Sequence, residues 1–274
     1  MTLGDYLIEN KYSDGFSMQY LVPMGAAIWS ASLSSMKNFP VVFFIRFFHN
    51  HGLLSIFKRP QWYVICGGSK SYLEPLAAAF KDRIFLNCDI SRIVRHEKGV
   101  TLMHSNGDTS DYDQVVMACH SDQALAMLAD PSREENSILG AIPYQNNDVV
   151  LHTDESILPK NPHTWSSWNY RLTGNERTLP VLTYNMNMLQ SIHCNDTFCV
   201  TLNARESIKV ESILGRYEYA HPQFSIASVK AQKRWSEING VNNTWFCGAY
   251  WGSGFHEDGV VSALRVADKF GLSL

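Results

Sequence analysis

The chain of 274 residues reads as a mixed α/β protein, in which short strands alternate with helices and a second sheet is inserted. Three stretches carry that reading. Trp62-Tyr63-Val64-Ile65-Cys66 is a β-rich apolar run closed by Gly67-Gly68 and followed by a helical pattern. Near the C-terminus, Trp245-Phe246-Cys247-Gly248 is a second such run; a loop with Gly252 and Gly254 follows it, and from about Gly259 small and apolar residues recur at helical spacing. Between them, residues 143–225 hold successive strand-like segments separated by polar or proline-containing connections.

In chain order, residues 1–58 are predominantly helical, with Ser34, Ser35, Asn38 and Pro40 marking a break before the aromatic run of Phe43 to Phe48. After the strand at 62–66, Ser69 is placed to cap a helix from about Tyr72 to Phe80. Ile84–Leu86, Ile90–His96, Val100–His104 and Gln114–Ala118 form a strand series, with Ser105-Asn106-Gly107-Asp108 as a hairpin turn. Ser121 or Asp122 opens a helix through Leu128. Val149–His152, Thr164–Tyr170, Val181–Asn185 and Phe198–Leu202 are the inserted strands, and Ser228–Ile238 is helical, with Ala231, Trp235 and Ile238 on one face.

Composition bounds the function. At 45% hydrophobic and 18% charged, the chain can bury a sizeable core in one or two domains. A net charge of −3 speaks against a nucleic-acid partner, which asks for a basic surface. The six cysteines (66, 88, 119, 194, 199 and 247) show no Cys-x-x-Cys pair, and four sit in apolar strand-like contexts; buried free thiols in a reducing, cytoplasmic setting are the simplest account. Neither Tyr20–Leu33, which contains Pro23, nor Val41–Phe48, which contains Arg46, reaches the roughly 20 apolar residues needed to span a bilayer. These stretches read first as core helices, with an apolar substrate pocket or peripheral membrane contact as the alternatives. His49 and His51, or His193 with Cys194 and Cys199, lack zinc spacing, so no metal is expected.

The C-terminal strand, glycine-rich loop and helix start carry the chemistry. A helix start offers unpaired N–H groups and the positive end of a dipole, and glycines let a ligand approach the backbone closely. This segment, Trp245 to Ala267, resembles the C-terminal flavin-contacting motif of the FAD-dependent amine oxidase and phytoene desaturase superfamily. Phe39-Pro40 with Phe47-Phe48-His49-Asn50-His51, Gly67-Gly68-Ser69, Leu151-His152-Thr153-Asp154, Trp168-Asn169-Tyr170, Tyr219-Ala220-His221-Pro222 and Gly254-Phe255-His256-Glu257-Asp258-Gly259 resemble one bacterial branch of it, described as NAD/FAD-binding proteins.

The resemblance implies FAD as cofactor and a small-molecule substrate, either an amine or an apolar acyl lipid. It implies a substrate domain from residues 1–58 and 143–225, and a partial, Rossmann-like FAD domain from 60–130 and 240–274. It places Gly248, Ser253, Gly254, Phe255, Asp258, Gly259 and Val260 around the flavin, with the Val260 N–H near a flavin carbonyl. Ile90 becomes a main-chain contact for adenine; by its pattern alone it is a core strand residue. Tyr250 and Trp251 stand where an aromatic wall beside the ring would be, and His256 where an imidazole would meet substrate or flavin. Asp258 or Glu257 either caps the helix or bonds ribityl hydroxyls. One departure is that Ala249-Tyr250 follow Gly248, where many relatives carry an acidic residue.

The family's N-terminal Gly-x-Gly-x-x-Gly turn has no match in this sequence. The chain therefore resembles the C-terminal two-thirds of such an oxidoreductase, and three origins stay open: a truncated gene start, a split gene with the FAD-binding segment on a separate chain, or a binding module that has given up flavin. The first is preferred, because Met1 to Asp5 reads as the middle of a helical region of the family.

Overall fold

The structure is a computed structural model that describes residues 1–57, 60–172, 174–176 and 178–272. Helix α1 (Leu3–Glu9) starts at a reciprocal cap, in which Thr2 Oγ1 accepts the Asp5 N–H and the Asp5 carboxylate accepts the Thr2 N–H. Helix α2 (Asp14–Phe16) runs through a π-helical turn at Ser17–Leu21 into α3 (Val22–Trp29), which ends at Ser30 in the left-handed region. Helix α4 (Leu33–Lys37) is capped by Ser32, and α5 (Val41–Asn50) begins just after Pro40. The aromatic run packs as core. Trp29 lies 4.6 Å from Phe39 and 4.9 Å from Phe47 by ring centroids, and Phe44 stacks on Phe48 at 4.0 Å. Phe44, Phe47 and Phe48 fall on one buried face, each stabilising by about 1.5–3 kcal/mol. Among the described residues no helix is long and apolar enough to cross a membrane.

Two expected strands do not form. Trp62–Cys66 has no ladder partner among the described residues, and its side chains are open to solvent, Trp62 by 64% and Tyr63 by 86%. Ile84–Leu86 is likewise unpaired. A strand exists only through its neighbours' N–H and C=O groups, and these segments have none beside them. Between them α6 (Leu73–Ala77) is a short helix flanked by 3-10 turns.

Strands β1 (Ile90–His96), β2 (Gly99–His104) and β3 (Thr109–Tyr112) form an antiparallel sheet in that order. Asn106 Oδ1 accepts the Asp108 N–H in the β2–β3 turn. Strand β4 (Val115–Met117) leads to α7 (Ser121–Met127) and to α8 (Arg133–Leu139), a helix the sequence reading missed. Then come β5 (Tyr144–His152), β6 (Trp168–Arg171), β7 (Val181–Asn185), α9 (Met186–Gln190), β8 (Cys199–Leu202) and β9 (Ile213–Pro222). They make a sheet of order β6-β7-β8-β5-β9. Helix α10 (Ile226–Gln232), β10 (Thr244–Phe246) and α11 (His256–Lys269) complete the chain, with β10 parallel to β4.

The chain divides into two units, one of residues 1–84 and 145–221, the other of 85–144 and 222–274. Residues 60–84, read from the sequence as part of the FAD domain, group with the first unit. In that unit His152 is fully buried: its Nδ1 accepts the Asp154 N–H at 3.0 Å, so Nε2 donates to Thr201 Oγ1 at 2.7 Å, which lies 2.8 Å from Thr183 Oγ1. Burial pushes the imidazole below its ordinary pKa, against the opposing pull of Asp154. Burial alone would raise the Asp154 carboxyl, but hydrogen bonds from Ser156 and from the Lys209 N–H hold it below the usual range.

The second unit has a core of Ile93, Val100, Met117, Ala124, Ile138, Leu139, Phe246 and Tyr250, among others. Buried beside α8, the Arg95 guanidinium pairs with both carboxylate oxygens of Glu135 and donates to Asp130 Oδ1 at 3.1 Å. The cysteines correct the sequence reading. Only Cys199 and Cys247 are buried and Cys119 is half-buried, whereas Cys66, Cys88 and Cys194 are exposed.

Candidate functional site

The second unit brings most of the sequence-derived site residues onto one strand, loop and helix. Strand β10 is closed on its outer side by side chains: the Phe246 N–H donates to Asn239 Oδ1 at 2.6 Å, and Trp235 Nε1–H donates to the Phe246 carbonyl at 3.3 Å. The chain leaves the strand at Gly248, whose φ of 153° suits glycine and where a side chain would overlap the Tyr250 ring. The Gly248 N–H donates to Ser262 Oγ at 2.7 Å, and Ser262 Oγ–H donates to the Gly259 carbonyl at 2.8 Å, which ties the loop start to α11.

A 3-10 turn at Ala249–Trp251 follows, and its exit is held by Gln232 Nε2, which donates to the Tyr250 carbonyl at 2.8 Å and the Gly252 carbonyl at 2.7 Å. At Gly252 an added Cβ would collide with the Asp258 carboxylate; Gly254 turns at φ 96° against the Phe224 ring. Asp258 Oδ2 accepts the Phe255 N–H at 3.0 Å, so this carboxylate caps α11. Helix α11 is seated by the buried Ser262 and Val266 and by the Arg265 guanidinium, 3.9 Å above the centre of the Trp235 ring.

The helix starts at His256, three residues before the expected start near Gly259. Val260 therefore lies in the second turn, where its N–H belongs to the helical ladder. The N–H groups without a helical acceptor are those of His256, Glu257 and Asp258. His256 is exposed at the first helical position, while Ser253, Phe255 and Gly259 are half-buried. Ile90, at the start of β1, packs against the same core as Tyr250 and Trp251.

Two atoms in this region stand out. Among the described residues, Tyr250 Oη and Trp251 Nε1 are buried side-chain atoms with no hydrogen-bond partner. Their rings are 5.2 Å apart, and Tyr250 is only 2% exposed. Burial pushes the Tyr250 phenol well above its ordinary pKa, so it stays a hydrogen-bond donor at neutral pH. A buried donor without an acceptor costs about 1–3 kcal/mol. The thiols of Cys119 and Cys247 are also pushed up by burial and stay protonated, which argues against a nucleophile there. Gln232, Asn239 and Ser262 were not singled out from the sequence, since each acts through main-chain groups distant along the chain and belongs to no motif.

A flavin fits this donor set. Its ring and ribityl chain carry many acceptors, and the loop offers two orphaned donors, three N–H groups without a helical acceptor at the start of a 14-residue helix, and glycines where a backbone can be approached closely. Among the described residues no group of three His, Cys, Asp or Glu side chains is placed to hold a metal ion.

Residues 14–195 match the model of the flavin-containing amine oxidoreductase family. Among solved structures the chain is similar to a CLA-producing fatty acid isomerase from P. acnes, with 13% identity and a TM-score of 0.66 over 99% of this chain and 67% of that one. It is similar to cyclohexylamine oxidase from Brevibacterium oxydans IH-35A, with 13% identity and a TM-score of 0.62 over 99% and 68%. A redesigned putrescine oxidase gives 12% identity and a TM-score of 0.64 over 99% and 68%. No match is found among curated proteins. With a family match over well more than half of its length and a loop and helix suited to an acceptor-rich ring, this chain belongs to the flavin-containing amine oxidoreductases.

Proposed function

We propose that the protein works as an FAD-dependent oxidoreductase of the amine-oxidase type, removing hydrogen from a C–H bond of an amine or of an apolar acyl substrate. The observation that carries this reading is the pair of buried, partnerless donors, Tyr250 Oη and Trp251 Nε1, beside the glycine loop and the start of α11. When bound, the flavin supplies a hydride acceptor at N5.

The protein's share is binding and orientation. The N–H groups of His256, Glu257 and Asp258 face anionic or carbonyl oxygens at the helix start, and the glycines keep the loop thin enough for a ring to lie against it. Tyr250 and Trp251 donate to acceptors of the bound ring, and His256 at the mouth of the helix meets substrate. Ile90 offers its main chain to adenine. The pyrophosphate is held by a dinucleotide-binding segment outside these 274 residues, joined to the chain or separate from it. The named neighbours act on amines and on a fatty acid, which supports keeping both substrate classes.

The test is the visible spectrum of the purified 274-residue chain beside a longer protein that includes the coding sequence upstream of Met1. Flavin absorption in the longer form, bleached anaerobically by cyclohexylamine, putrescine or linoleate, is the expected result. A colourless longer form would sink the reading.

A further inference from the structure

We propose that one lateral row of the five-stranded sheet, Trp168, Tyr184, Val200 and Leu151, is the specificity element of the protein and holds a long uncharged acyl chain, so that the substrate is an acyl lipid and not an amine. This deepens the proposed function and rests on it only for the reaction; the row itself is a property of the first unit. Strand register sets it out: Trp168 stands opposite Tyr184, Tyr184 opposite Val200, and Val200 opposite Leu151. Side chains alternate along a strand, so these four share one face. Trp168 and Tyr184 meet edge to face with ring centres 5.1 Å apart. Two residues further along the same strands, Tyr170, Leu182, Leu202 and Val149 make a second row on that face. The same alternation sends Asp148 and Arg171, the only Asp, Glu, Lys or Arg residues of these four strands, to the opposite face.

The polarity of the sheet is the reverse of the usual one. An antiparallel sheet with one solvated face normally buries its apolar side. Here the buried face is polar: His152, Thr201 and Thr183 are bonded in series, and Asn185 lies beside them at 2% exposure. The open row is apolar, with Trp168 42% exposed and Tyr184, Val200 and Leu151 half-buried. Burial pushes the Tyr184 phenol up to about 12 and the Tyr170 phenol in the same direction, so neither adds a charge. A diamine keeps an ammonium group that needs a charged or strongly polar partner once out of water, and the row supplies none. The shape points the same way. Three inter-strand spacings make the row about 14 Å long, and two residues along a strand make it about 7 Å wide. Leu182, Leu202 and Val149 are buried on one side of it, and on the other β7 gives way to α9 at Met186. A helix, about 10–12 Å across, is too wide for such a strip, and a compact ring amine covers only part of it. A single extended hydrocarbon chain fits along its length.

The experiment measures binding of saturated fatty acids, from hexanoate to stearate, by equilibrium dialysis against the longer protein made with its own upstream coding sequence. Putrescine and cyclohexylamine serve as competitors. Affinity is expected to rise about fourfold for each added methylene until the row is filled, and then to level off. Trp168→Ala, on the edge strand β6, shortens the row; it should bring the plateau to a shorter acid and weaken palmitate by about 10-fold. Val200→Trp fills the middle of the row and should remove the gain for the longer acids; where that variant fails to fold, Trp168→Ala carries the test. Affinity independent of chain length, a plateau that Trp168→Ala leaves in place, or displacement of palmitate by putrescine or cyclohexylamine would overturn the proposal. So would the absence of fatty-acid binding, which would assign the row to packing against the upstream polypeptide. A colourless protein that keeps the chain-length series and its shift in Trp168→Ala would sink the flavin reading and leave the row standing. A yellow protein bleached by an amine but without the series would do the reverse.

Discussion

Gly252→Ala tests how the loop is held against α11. An added methyl at this position overlaps the Asp258 side chain, whose Cγ and Cβ would stand 2.5 and 2.7 Å away. Overpacking of this kind costs about 1–3 kcal/mol. It also drives the carboxylate off the Phe255 N–H, forfeiting a cap worth about 0.5–2 kcal/mol. At about 2–4 °C per kcal/mol for a chain of this size, the melting temperature falls by roughly 5–15 °C. Because the Asp258 Cβ is itself within the overlap, the relieving partner is Asp258→Gly rather than Asp258→Ala. Thermal melts of the parent, both single variants and the double variant form a cycle, and any backbone cost at position 252 cancels in it. The expected coupling is about 1–3 kcal/mol, with the double variant more stable than the sum of the singles requires. A coupling below about 0.5 kcal/mol would show that Asp258 is not what Gly252 makes room for.

The remaining predictions address the core and the cofactor. Glu135→Ala removes the buried two-oxygen partner of Arg95 and leaves the partly exposed Asp130 as its remaining carboxylate, so it should cost about 2–4 kcal/mol in denaturant melts, while replacing both residues by apolar ones of similar volume costs far less. His152 is neutral when folded and has its pKa lowered by burial, so below the unfolded value of about 6.5 the unfolded chain binds the extra proton. Its contribution is intact above that pH and is lost as pH falls toward the folded pKa; His152→Gln should flatten the stability-pH curve there, and an unchanged slope would remove His152 as the cause. Gly259→Leu, in the first turn of α11, is expected to abolish flavin retention in the completed protein, read from the absorbance of the purified sample; normal flavin content would contradict the placement of the ring.

Much of the fold was legible because local chemistry and tertiary context agree. Val181–Asn185 forms a strand as read and pairs with β6 and β8, and the Asn106-Gly107 turn closes the β2–β3 hairpin. The loop from Gly248 to Phe255 showed in its glycines, since close approach and positive φ leave a trace in residue type. Trp62–Cys66 and Ile84–Leu86 have equally strong strand composition but no ladder, because pairing depends on a neighbour that composition cannot reveal. Helix α8 went unread for the opposite reason: Arg133-Glu134-Glu135-Asn136 is polar, and its Glu135 is buried only because Arg95, 40 residues earlier, comes to meet it.

By itself, then, the sequence determined the mixed α/β class, the strand-loop-helix at the C-terminus and the family resemblance, all of which rest on short-range patterns. Only the tertiary structure decided that α11 opens at His256, that Asp258 is engaged in capping, that Gln232 and Ser262 hold the loop, and that Tyr250 and Trp251 are left with buried donors unmet. Hydrogen-bond satisfaction is a property of three-dimensional neighbourhoods, and residues 14 to 20 positions apart become partners only once the core has formed.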